Sequence, residues 1–153
     1  MQSPQDADIA GSMRTVIYAH FAREGTAPTS EQLAATMKVT QDEALDALRT
    51  LAARRALVLN PATSEIWMAA PFSAVPTSFR VLGAETSWWA NCAWDMLGIP
   101  AALGQSVRVA ATCADCNAPM NFQVDPEQGP VMDGGLVHFL VPANHWYDDI
   151  GFT

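Results

Sequence analysis

Cationic side chains are scarce in this chain. Lys plus Arg number 8 against 16 Asp plus Glu, a formal charge of −8 over 153 residues. So acidic a chain is repelled by phosphate backbones and by anionic membrane surfaces, which argues against nucleic acid or a membrane as its partner. Cysteine is also sparse, and its count of 3 is odd, so a disulfide framework is excluded and the thiols read as reduced groups, metal ligands or reactive centres. No apolar run approaches the ~18 residues of a membrane span. The start, Met1 to Asp8, lacks the basic and apolar regions of a signal peptide, so the chain is expected to be cytoplasmic. Charged residues make up only 16% and apolar residues 50%, enough apolar material for a packed core and too much for a disordered tail.

What is present reads as two units, 9–70 and 77–153. Residues 1–8 are polar and expected to fray. Met13, Val16, Ile17, His20 and Phe21 then form the stripe of an amphipathic helix that stops near Gly25. Thr29 with Gln32 and Thr40 with Glu43 have the spacing of capping boxes. The second opens a helix whose buried face is expected at Leu45, Leu48 and Leu51. Leu57–Leu59 and Glu65–Met68, flanking a turn-prone Asn60–Ser64, predict a β-hairpin. Three helices and a hairpin follow the order of a winged helix-turn-helix module. Gln41, Asp42, Glu43 and Asp46 would face a major groove, so a scaffold or dimer surface is the better reading than DNA binding.

Pro71 and Pro76 mark a linker. Beyond it the pattern predicts an extended Thr77–Val81, a helix over Glu85–Leu97 ended by Gly98-Ile99-Pro100, and a short turn at 101–104. Strands are expected at Val107–Ala111, Met120–Val124 and Leu136–Val141, with a loop over 125–134. The fold class is therefore α+β: a winged-helix-like module of three helices plus hairpin, then a small mixed core with an active-site helix and antiparallel strands.

The densest chemistry lies between Trp88 and Asp95. On a helix Cys92 and Asp95 are i and i+3 and share a face. A carboxylate beside a thiol raises the thiol pKa unless it exchanges a proton with it, so the pair points to proton traffic at sulfur. Trp88, Trp89 and Trp94 would then wall an apolar pocket. The plainer reading makes Cys92 a buried small hydrophobe and Asp95 a solvent-facing helix residue. Cys113-x-x-Cys116 is open to three readings: a structural turn, a soft-metal site or a redox dithiol. A closed zinc site needs four ligands, and only Cys92, His138 and His145 remain. His20 reads as a core residue, His138 as a strand residue of either face, and His145, near Asp148 and Asp149, as a surface residue or a pocket lining. P-loop, GxGxxG, HExxH and GxSxG motifs are absent.

The segment Trp89-Ala90-Asn91-Cys92-Ala93-Trp94-Asp95, followed by Leu97, Pro100 and Leu103-Gly104, resembles the active-site helix of the alkylmercury lyase (organomercurial lyase, MerB) family. The strand–Cys113–strand order that follows is similar as well. The resemblance implies protonolysis of a carbon–mercury bond, giving a hydrocarbon and Hg(II), with Cys92 as mercury ligand and Asp95 as proton carrier. It implies a structural thiol at Cys113 and no cofactor, mercury being the substrate. The partners it implies are small organomercury compounds, exogenous thiols for product release, and a thiol acceptor or mercuric reductase. The family has a second catalytic cysteine near its C-terminus, which matches no residue up to Thr153. The chain is thus expected to continue past Thr153, to use Cys116 instead, or to have kept metal binding and lost turnover. A non-catalytic soft-metal protein, or a metal-responsive winged-helix regulator, is the alternative function.

Overall fold

The computed structural model describes residues 4–132 and 134–151. Helix α1 (Pro4–Glu24) opens within the segment expected to fray. Ala10, Met13, Ile17 and Phe21 on α1 are fully buried, while Val16 and His20 flank that stripe half-buried. Helices α2 (Ser30–Met37) and α3 (Gln41–Ala53) each begin at a complete capping box, Thr29 with Gln32 and Thr40 with Glu43. The side chain and backbone of each pair satisfy donors that the first helical turn leaves open. On α3 the buried face is Ala44, Ala47, Leu48 and Leu51; Leu45 is only half-buried. Strands β1 (Val58–Leu59) and β2 (Ile66–Ala69) form the expected hairpin. Glu65 ties that hairpin to α2 by accepting from the backbone N–H of Ser30 (2.8 Å) and from its hydroxyl (2.6 Å).

The strands of both halves pair into one antiparallel sheet of eight, in the order β1-β2-β3-β5-β4-β6-β7-β8. The linker expected between Pro71 and Pro76 contains β3 (Phe72–Ser73), which bridges β2 to β5. Strand β4 (Phe79–Leu82) replaces the expected Thr77–Val81 almost in place. The main correction falls next. Ser87–Ala90, expected to be helical, is strand β5, and helix α4 spans Asp95–Leu103, running through Pro100 and the predicted 101–104 turn. A tight turn closes β4 onto β5, with Gly83 N–H donating to the Thr86 carbonyl at 2.9 Å. A Cβ on Gly83 would stand 2.9 Å from the Trp88 ring, so only glycine fits there. Aromatic residues suit a pleated, half-buried surface, and pairing with β4 on one side and β3 on the other overrides the helical spacing.

Strands β6 (Val107–Thr112) and β7 (Pro119–Asp125) complete the core. Val81, Trp88, Val109, Phe122 and Val124 meet on one face of the sheet, against which Met96 and Ile99 of α4 are buried. The alternate residues Arg108, Thr112, Asn121 and Gln123 are exposed, as period-2 patterning requires. Trp88 also locks the helical half to the sheet: its indole N–H donates to the Phe21 carbonyl at 2.7 Å. Phe21 in turn stacks on Phe72 at 5.1 Å.

Two further expectations are corrected. The loop over 125–134 holds edge strand β8 (Gly129–Val131), where Pro130 needs no ladder donor. Leu136–Val141 is not a strand, and Leu136 is 99% exposed. The segment pairs with no strand of the sheet; instead Phe139 packs against Trp94 and Trp146. Among the described residues no helix is long and apolar enough to cross a membrane. The last described stretch folds back on the hairpin side: Tyr147 donates to the Arg55 carbonyl (3.1 Å), and the Arg55 guanidinium lies 4.6 Å from its ring centre.

Candidate active site

Strand β5 delivers the chain to the site and α4 carries it away. Between them Asn91–Trp94 makes a turn in which the Met96 N–H already donates to the Cys92 carbonyl (3.2 Å) and the Gly98 N–H to that of Trp94 (3.1 Å). Cys92 is therefore not inside a helix, as expected, but at its mouth. The i, i+3 spacing still brings Cys92 to Asp95, because the turn has helical pitch.

The Cys92 thiol stands at the start of α4, close enough to the Asp95 and Trp94 backbone N–H groups and to the Asp95 carboxyl for each to act on its titration. Helix N-termini and their free N–H groups favour a thiolate. Burial opposes this and dominates, so the Cys92 thiol titrates above the ordinary thiol range; the two N–H donors pull it down, while the charge of Asp95 and its acceptance of the S–H push it further up. Asp95 is likewise held above the usual carboxylate range by burial, partly offset by hydrogen bonds from Asn91 and Cys92. Both groups are half-buried, and burial favours the neutral form of each; the rise at Asp95 makes its carboxylate the better acceptor for the thiol proton.

Asn91 had no assigned role in the sequence reading. Its Nδ2 donates to Asp95 Oδ2 at 3.1 Å, and its Oδ1 is buried without a hydrogen-bond partner. The signal that could have found it was the i, i+4 spacing to Asp95. The aromatic wall, in contrast, is not built as expected. Trp88 points into the core, and Trp89 lies on the other face of the sheet beneath the Arg80 guanidinium, 4.3 Å from its ring centre. Trp94 is 57% exposed and meets Phe139 at 6.2 Å, which stacks on Trp146 at 5.4 Å. The aromatic cluster at the mouth of α4 is thus built from Trp94 and the returning chain.

Cys113 and Cys116 lie in the β6–β7 turn, and none of the three cysteines is in a disulfide. The ladder places that turn at the same end of the sheet as Cys92, since Phe79 pairs with Ala111 and Arg80 with Trp89. Strands β5 and β6 are two positions apart, roughly 10 Å in the pairing direction. The Cys113 thiol is held below the ordinary range by hydrogen bonds from the backbone N–H of Cys116, then that of Asp115, then the Cys116 thiol. His138 is exposed, as is His145, which pairs with Asp148 at 2.8 Å; neither adjoins the thiol–acid pair. Among the described residues no group of three or more His, Cys, Asp or Glu could hold a metal ion. Two surface clefts, of about 470 and 300 Å³, lie elsewhere and are lined by neither Cys92 nor Asp95.

A free thiol beside a carboxyl at a strand-to-helix junction defines an α+β protein whose site can handle sulfur and a proton together. Comparison with known families narrows the class. Residues 72–152 match the MerB alkylmercury lyase family, and the chain belongs to that family. It is similar in fold to the crystal structure of the mercury-bound form of MerB2, with a TM-score of 0.61 at 22% identity. That similarity covers 82% of this chain but 59% of the other, so the chain spans about three fifths of that protein's length. No curated protein matches the chain in sequence.

Proposed function

We propose that the protein is an organomercurial lyase, cleaving a carbon–mercury bond by protonolysis. Family membership supports the reaction class, and the placement of the Cys92 thiol beside the half-buried Asp95 carboxyl at the start of α4 is the observation that carries the mechanism.

Mercury is a soft, thiophilic metal, and Cys92 Sγ is its ligand. When R–Hg⁺ meets the thiol, a sulfur–mercury bond forms and the S–H proton passes to the neighbouring Asp95 carboxylate. Transfer removes the buried charge of Asp95, and the thiolate charge that burial disfavours is neutralised by the mercury it binds. Sulfur then pushes electron density through mercury onto carbon. Asp95, now a neutral acid, returns the proton to that carbon as the carbon–mercury bond breaks, releasing R–H. Hg(II) stays on Cys92, and a second thiolate completes its two-coordinate shell. No described residue beside Cys92 supplies that sulfur, so we assign it to an exogenous thiol.

Asn91 orients Asp95 and tempers its basicity. The substrates are small alkyl- or arylmercury compounds. Product leaves to a thiol acceptor or a mercuric reductase, and the setting is cytoplasmic, where thiols stay reduced. The metal-responsive regulator reading is not favoured: Asp42 and Glu43 stand exposed at the start of α3, with Glu43 closing the cap and Asp46 paired to Arg49.

The test is benzene release from phenylmercury with excess thiol, followed by gas chromatography. The parent should release benzene stoichiometrically with Hg(II) formation, and Cys92→Ser should not. Equal release from Cys92→Ser would remove Cys92 from the mechanism.

A further inference from the structure

The lyase chemistry leaves one thiol pair unused. Cys113 and Cys116 sit in the turn that joins β6 to β7, at the open end of the hairpin. The turn is tightly closed: Cys113 N–H donates to the Ala118 carbonyl (2.9 Å), and Asn117 N–H returns to the Cys113 carbonyl (3.0 Å). Asn117 takes a left-handed φ of 56°, which closes the turn and holds Cys113 and Cys116 at i and i+3 within it. A purely structural thiol needs no second, exposed thiol in the same tight turn. Two thiols held in one closed turn and reached by solvent are the donor set that a soft cation requires.

We propose that Cys113 and Cys116 form a second, two-coordinate site for a soft thiophilic cation, with Hg(II) as its ligand. Two thiolates satisfy the linear S–Hg–S geometry, whereas a closed zinc site needs four ligands. The described residues offer no third His, Cys, Asp or Glu to such a site. Binding is a proton exchange without redox change: Hg²⁺ displaces one proton from each thiol and forms two sulfur–mercury bonds. Cys116 is exposed and Cys113 half-buried, so the metal can enter and leave by exchange with solution thiols. The site is argued from the turn alone and stands whether or not Cys92 cleaves anything.

The full chain carrying Cys92→Ser, reduced and then freed of reductant without air, is titrated with mercuric chloride and separately with zinc chloride. Ultraviolet sulfur-to-mercury absorption, thiol counting and native mass are read together. One Hg(II) per monomer, loss of both remaining thiols and no saturable zinc uptake at equal concentration are expected. Adding Cys116→Ser, an exposed position that leaves the turn's backbone bonds in place, should weaken Hg(II) retention against a competing monothiol by ~10²–10⁴-fold, the usual gain from an intramolecular second ligand. Hg(II) bridging two chains, a thiol left free at saturation, equal zinc uptake, or retention unchanged by Cys116→Ser would each overturn the proposal.

Discussion

Replacing Asp95 by Asn should move two properties of the site in opposite directions. The side chain keeps its shape, and its Oδ1 can still accept from Asn91, which now lies 3.1 Å from Asp95 Oδ2. What disappears is the charge and the ability to carry a proton. Asp95 raises the Cys92 pKa in two ways, through its charge and by accepting the S–H, and both effects go. The Asp95 and Trp94 backbone N–H donors that favour thiolate are main-chain groups and stay. The thiol pKa therefore falls, and Cys92 should be alkylated faster at pH 7 in Asp95→Asn than in the parent. Turnover should do the reverse. General acid–base catalysis is worth ~10²–10⁴-fold, or about 3–5 kcal/mol of barrier, so benzene release should drop by that factor while mercury still binds. Folding should change much less. The charge-assisted hydrogen bond from Asn91 becomes a neutral one, a loss of about 1 kcal/mol, and relief of a half-buried charge opposes that loss. Iodoacetamide kinetics with peptide mapping, single-turnover gas chromatography and urea unfolding measure the three. Alkylation that slows, or benzene release within tenfold of the parent, would refute the shared-proton reasoning.

The raised Asp95 also has a signature in stability. A carboxyl whose folded pKa exceeds its unfolded value favours folding when protonated, so the parent should lose stability relative to Asp95→Asn as pH rises from the ordinary carboxylate pKa through the raised one, and stay level above it. Urea midpoints across pH 3 to 8 test this, and a parent that gains on the variant over that span would contradict it. Asn91→Leu removes a bond that lowers Asp95, so the acid limb of the rate profile should move to higher pH. The buried, unpartnered Asn91 Oδ1 goes too, so folding stability should not fall by more than about 1 kcal/mol. Trp88→Phe breaks the buried 2.7 Å bond to the Phe21 carbonyl, but that carbonyl keeps its 2.9 Å bond from the Gly25 N–H. The cost should be about 2 kcal/mol, roughly half from the hydrogen bond and half from lost ring volume, read from the urea midpoint at constant slope.

Local rules made part of this protein legible from its residues. The capping boxes at Thr29 and Thr40, the α1 stripe and the β1–β2 hairpin depend on neighbours three or four positions away, and their spacing alone specifies them. The Cys92–Asp95 pair belongs to the same category: a turn of helical pitch joins them whether it lies inside a helix or at its mouth. Tertiary structure decided the rest, for reasons of pairing. Ser87–Ala90 is a strand because β3 and β4 offer ladders on both sides, whereas Leu136–Val141 pairs with no strand and packs Phe139 on Trp94 and Trp146 instead. Only the assembled sheet directs Trp88, Trp89 and Trp94 to three different places and brings the Cys113 turn to the same end as Cys92. Burial sets the titration of both site groups, and burial is a property of what packs over a residue, which its own sequence neighbourhood does not contain.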